Sequence, residues 1–126
     1  MISPANAPYH AHIYVGSGQE ESGAALRARF ASEPHILFVG RITEGKAGPH
    51  PISQFEVHFL QSSLDAIIPL IDASGLRSLI HPLTEDDLAD HTTLAHWIGS
   101  PIELDLTTLD PRGVNQGVAR FGKSDF

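Results

Sequence analysis

The chain has no cysteine, so disulfides, thiolate metal ligands and a thiol nucleophile are excluded. It has no long apolar run of the kind that crosses a bilayer, so no membrane partner is expected. Cations are few: Lys and Arg number 8 against 15 Asp and Glu, a formal charge of -7. They are scattered from Arg27 to Lys123, which disfavours a nucleic-acid partner, because phosphate recognition needs clustered positive charge. The N-terminal stretch has neither Lys nor Arg nor an extended apolar segment, so no secretory signal is expected and a cytoplasmic location is the default.

What the chain has in excess is histidine: His10, His12, His35, His50, His58, His81, His91 and His96, dispersed rather than in a tag. Its 126 residues fit a single domain, 1–126, long enough for a real core. Tyr9 to Val15 alternates with the two-residue period of a half-buried strand. Tyr9, Ala11, Ile13 and Val15 share one face, and His10, His12 and Tyr14 share the other.

Met1 to Pro8 reads as an irregular lead-in. After the first strand, Ser17 with Glu20 three residues on is a capping-box pattern, predicting a helix from about Gly18 to Ala31. Pro34 ends it, and His35 to Gly40 is a second strand. The loop from about Glu44 to Pro51 holds His50 between two prolines, which stiffens its backbone. Gln54 to Leu60 is a third strand, with Phe55, Val57 and Phe59 opposite Gln54, Glu56 and His58. A second helix, capped by Ser62, runs from about Ser63 to Ala73, bent or shortened at Pro69 and stopped at Gly75. Arg77 to His81 is a fourth strand. A third helix is predicted from Asp87 to Ile98, with Leu94 and Ile98 as an i,i+4 pair, then a short fifth strand from Ile102 to Leu106.

The order βαββαβ predicts an α+β, ferredoxin-like sandwich: an antiparallel sheet with two helices on one face, plus a C-terminal helix and a short strand. The first and third strands are then central, with the fourth beside the first. Parity places His10, His12, Glu56, His58 and His81 on the face away from the helices, and a one-residue slip would undo this. Imidazole nitrogens with a carboxylate oxygen are a ligand set for iron, zinc, manganese or nickel. The metal trio expected is His12, His81 and Glu56, with His10 and His58 in reserve; two histidines and a carboxylate on one side of a metal leave positions open. Tyr14 can orient a bound phenol, and His58 is a candidate substrate contact. His50 and His91 are candidates for proton transfer, since imidazole titrates near neutral pH. Asp90 and His91 are no obvious pair, because neighbours on a helix point about 100° apart. The bland alternative is a solvated sheet face or an interface, which would show the same alternation.

Other motifs fail. Gly16-Ser17-Gly18 lacks the full dinucleotide spacing, and there is neither a P-loop nor a nucleophile elbow.

Several segments together resemble the DOPA 4,5-dioxygenase-like family. They are Tyr9-His10-Ala11-His12-Ile13-Tyr14, Gly48-Pro49-His50-Pro51, Phe55-Glu56-Val57-His58-Phe59, Leu79-Ile80-His81-Pro82, and Asp90-His91 followed by Ala95-His96-Trp97-Ile98-Gly99. They fall in the family's order between Tyr9 and Leu109, the core of the domain. The resemblance implies extradiol cleavage of a catechol such as DOPA by dioxygen and a non-haem metal. Fe(II) is the expected cofactor, with zinc or manganese as alternatives, and His10, His12, His50, His81 and His91 are the motif histidines. His10 joins His50 and His91 as a catalytic candidate. The segment Leu83 to Leu88 departs from the family pattern: it is more acidic and lacks a glycine after the threonine, and an anionic substrate would feel those charges. Two other classes remain open: a zinc hydrolase or isomerase on the same face, and a non-catalytic small-molecule binding or assembly domain. A homodimer is expected, because an open sheet and a short outer strand want cover.

Overall fold

A computed structural model describes residues 7–123. Most of the expected lead-in, Met1 to Asn6, therefore lies outside the described residues. The elements are β1 (Pro8–Tyr14), α1 (Glu20–Ala31), β2 (Phe38–Val39), β3 (Gln54–Leu60), α2 (Leu64–Ser74), β4 (Ser78–Pro82), α3 (Asp87–His91), β5 (His96–Ile98) and α4 (Gln116–Arg120). They form the predicted α+β fold around a five-stranded sheet in the order β2-β3-β1-β4-β5, every pairing antiparallel. β1 is central: His10 lies opposite His58 on β3 and His81 on β4, and His12 lies opposite Glu56 and Leu79.

The odd-numbered face of β1 makes the core. Ala11 and Ile13 pack with Phe55, Val57 and Phe59 of β3, with Leu26 and Phe30 of α1, and with Ile67 and Ile71 of α2. Apolar residues of both helices are thus consumed on one side of the sheet, and the histidine face is left to the other. That face is covered by the chain itself: the loop around His50, α3, and the segment from Thr108 to Gly117 all border it. Among the described residues, no helix is long and apolar enough to cross a membrane.

Local details differ from the sequence expectations. The Ser17 capping box does not form. Gly18, at φ +83, takes one further turn, so Gln19 is the N-cap residue and its side chain accepts from the Gly16 N–H instead. Strand β2 is short because Pro34 and His35 complete a turn, closed by the Ile36 N–H on the Glu33 carbonyl. A 3-10 turn, Gln61–Ser63, precedes α2 in place of a Ser62 cap, and α2 runs on through Pro69 to a left-handed Gly75.

The largest change is after Asp87. Helix α3 ends at His91, where the Thr92 hydroxyl takes the Leu88 carbonyl and the Thr92 backbone leaves helical geometry. The expected Leu94/Ile98 helical pair is lost: Leu94 is exposed, and His96–Ile98 instead forms β5 against Ser78–Ile80. Ile102 to Leu106 is not a strand; a 3-10 turn, Leu106–Thr108, follows Asp105.

Gly23 of α1 packs against Val15. A Cβ there would lie 2.8 Å and 2.9 Å from the two Val15 methyl groups, so turning the valine about χ1 gives no relief. Gly23→Ala gains about 1 kcal/mol of helix propensity but meets an overpacking cost of about 1–3 kcal/mol. The expected outcome is a lower urea midpoint with an unchanged slope.

Candidate functional site

Strand register brings the histidines together, and their outer hydrogen bonds define what each ring presents. His12 Nδ1 lies 3.0 Å from Gln54 Oε1, and His81 Nδ1 lies 2.7 Å from the Pro82 carbonyl. A carbonyl oxygen only accepts, so both Nδ1 atoms carry the proton. Burial, followed by the neighbouring imidazoles, holds both side chains well below the ordinary histidine range, so both are neutral. A neutral ring protonated at Nδ1 presents a lone pair at Nε2. The Nε2 atoms of His12 and His81 nevertheless face each other at 3.0 Å. Two lone pairs at that distance repel unless a cation lies against both.

His10 adds a third nitrogen. Its Nδ1 is 3.3 Å from Glu56 Oε2, and its buried Nε2 has no hydrogen-bond partner. Burial and the surrounding imidazoles keep this ring neutral too. One nitrogen from each of His10, His12 and His81 falls within a 4.8 Å cluster. An orphaned buried acceptor beside two opposed lone pairs fits a divalent metal ion with a taste for nitrogen, and the outer carbonyl and carboxylate partners are the second layer such ligands use.

Glu56 is elsewhere engaged. It clusters with His10 and His58, not with His12 and His81. The Gly122 N–H donates to His58 Nδ1 at 2.9 Å, which leaves the His58 proton on Nε2, 2.9 Å from Glu56 Oε2. Both His58 nitrogens are therefore in use, and its ring makes stacked contacts with both His10 and Phe121, which also contact each other.

A second cluster joins His12 to His50 and His91. The loop holding His50 is a two-residue hairpin: Ala47 and His50 exchange backbone hydrogen bonds, Gly48 has φ +54, and Pro49 fixes the second position at negative φ. Tyr14 O–H lies 2.8 Å from His50 Nδ1. Burial pushes the Tyr14 phenol up, so it stays protonated and can donate, and burial lowers His50 to about 3. His91 Nδ1 lies 2.8 Å from the Asp87 carbonyl and 3.3 Å from Asp87 Oδ1. Burial pushes the Asp87 carboxyl up, but the His91 side chain and the Asp110 N–H outweigh it and hold the group below its ordinary value.

The five motif histidines thus line one cavity of about 320 Å³. His35 and His96 are exposed and lie outside it. Sequence reasoning missed Asp87 as a partner of His91, although the i,i+4 spacing was a signal. Asp90, which the sequence did not pair with His91, is fully buried and takes Thr84 and Asn115 instead, partners the sequence did not indicate. No sequence signal pointed to Phe121 or Gly122.

Over residues 9–108 the chain matches the model of the Dopa 4,5-dioxygenase family. The chain belongs to that family. It is 30% identical over 111 residues to the DOPA 4,5-dioxygenase of Amanita muscaria, covering 80% of this chain and 49% of that one. It is 33% identical over 112 residues to an uncharacterised 21.2 kDa protein of Botryotinia fuckeliana, covering 79% and 61%. The chain therefore spans about half to three-fifths of the length of these relatives. A crystal structure of a "putative dioxygenase" from Nostoc punctiforme superposes with a TM-score of 0.76 at 27% identity, covering 86% of this chain and 95% of that one.

The hydrogen-bond pattern makes a spectroscopic prediction. In the metal-free protein at neutral pH, imidazole 15N shifts are expected to show His12, His81 and His91 protonated at Nδ1 and His58 at Nε2. A His58 ring protonated at Nδ1 would contradict its placement between Gly122 and Glu56.

Proposed function

We propose that this site opens the ring of a catechol by extradiol cleavage, with a divalent metal, Fe(II) first, held by Nε2 of His10, His12 and His81. The reading is carried by the two Nε2 atoms of His12 and His81, 3.0 Å apart, beside the orphaned Nε2 of His10. Family membership supports the dioxygenase class. Glu56, expected from sequence as a ligand, takes the role of orienting His10, and His58 in turn holds Glu56.

Bound Fe(II) would supply a meeting place for the two diol oxygens and dioxygen and a path for electrons from the ring to the oxygen. The chain's own residues handle protons and position. His91 Nε2 is the base for a diol proton, and the Asp87 carboxylate against its Nδ1 stabilises the imidazolium that results. Donation from Tyr14 to His50 Nδ1 puts the His50 N–H on Nε2, where it can hydrogen-bond the bound diol or product, while the proton taken up by His91 is the one returned to the ring-opened product. Tyr14 thus acts through His50 rather than on the substrate. Both atoms of dioxygen enter the product, and the bond broken is the ring C–C bond next to the diol. A homodimer remains part of this reading, now resting on the outer edge of β5.

A zinc hydrolase or isomerase is the second reading, favoured by the all-nitrogen donor cluster, which suits zinc equally. Activity measured across iron, zinc and manganese separates the two.

The test is anaerobic metal loading followed by a catechol panel with oxygen uptake. One dioxygen consumed per yellow product formed is expected, and metal-replete protein that leaves every catechol intact would sink the assignment. His12→Ala and His81→Ala are expected to lose the metal by elemental analysis. His91→Gln is expected to keep it while kcat falls by about 10²-fold or more.

A further inference from the structure

The catechol reading leaves open what the far end of the substrate carries, and the cavity wall bears on it. The charged side chains lining the cavity, apart from histidines, are Glu56, Asp87 and Asp110. All are carboxylates. The chain's eight Lys and Arg all fall within the described residues, and none lines the cavity. Lys46, beside the His50 hairpin, has its ammonium on Asp105, and Arg112 lies near Asp86 outside.

Asp110 is the half-buried acid of the three. Its Oδ2 accepts from the Gln116 N–H and its Oδ1 from the Gln116 amide, each at 2.9 Å. A carboxylate has about four acceptor sites, so Asp110 can take a further donor. A carboxylate at the far end of a substrate would meet these acids with no Lys or Arg on the lining to pair with, a repulsion that solvent only partly screens beside the half-buried Asp110.

We infer that the site selects catechols whose side chain carries a protonated amine and no carboxylate, with Asp110 as the group that receives the amine. This rests on the catechol reading but goes beyond it. It separates this chain's substrate class from the amino acid named for the Amanita muscaria relative, which bears a carboxylate.

The test uses the full chain and three probes that share one diol: dopamine, 3,4-dihydroxyphenylalanine and 3,4-dihydroxyphenylacetate. Dissociation constants are measured by calorimetry on zinc-loaded protein, and kcat/KM on iron-loaded protein. Dopamine is expected to bind about tenfold tighter than either carboxylate-bearing probe, which is about 1.4 kcal/mol, with the gap narrowing as salt is raised. Asp110→Asn is expected to remove most of that gap. Because Asp110 also holds Gln116, a second variant guards against misfolding: Thr108→Arg places a cation at an exposed lining position and is expected to tighten 3,4-dihydroxyphenylacetate. Equal affinities, or an inverted order, would overturn the inference while leaving ring cleavage intact. The expected binding order without turnover of any probe would sink the dioxygenase reading and leave the selection standing. No binding of any probe would overturn both.

Discussion

The register that sets His10 opposite His81 on β4 and opposite His58 on β3 is the constraint on which the site depends. Strand side chains alternate, so the same pairing that buries Ala11 and Ile13 against α1 and α2 delivers His10 and His12 to the other face. The core therefore holds the histidines in place without touching them. A slip of one residue would bury imidazoles among Phe55, Val57 and Phe59 and expose the apolar face. The hydrophobic cost of that alternative fixes the geometry of the site.

Burying five imidazoles in one cavity is tolerable only if their ring protons are accounted for. The outer partners do this one ring at a time: Gln54 for His12, the Pro82 carbonyl for His81, the Asp87 carbonyl for His91, Glu56 for His10. These bonds leave the Nε2 lone pairs of those four rings to the cavity, whereas Tyr14, donating to His50 Nδ1, leaves the His50 proton on Nε2. Part of this support comes from beyond the family match, which ends at residue 108. The Gly122 N–H fixes His58, Phe121 stacks on it, and Asn115 ties the same segment to the buried Asp90. The chemistry of the cavity is therefore read partly from a segment with no recognisable pattern of its own.

The sequence was legible where a short period met a buried face. Tyr9 to Tyr14, Gln54 to Leu60 and Leu79 to His81 alternate cleanly, and their elements, pairing and parity all follow from that alternation. It was misleading after Asp87. Leu94 and Ile98 have helical spacing, but Leu79 on the edge of β4 needed a neighbour, and Trp97 supplies it while stacking on Tyr14. Tertiary demand outweighed local pattern there. The orientation of Glu56 was beyond the reach of the pattern. Parity put it on the correct face, but parity says nothing of where a flexible carboxylate turns, and the His58 Nε2–H takes it away from His12. Asp90 was named beside His91, but its partners were not legible: Thr84 lies across the turn that opens α3, and Asn115 lies in a segment without periodicity.

The central claim is that three histidine nitrogens, with Glu56 outside them, make the metal site. Anomalous diffraction from crystals of the zinc-loaded protein tests it most directly. The account predicts one strong peak about 2.0–2.1 Å from Nε2 of His10, His12 and His81, with Glu56 still hydrogen-bonded to His10 and His58. A peak coordinated by Glu56, or one centred on His50 and His91 without His10 and His81, would contradict it.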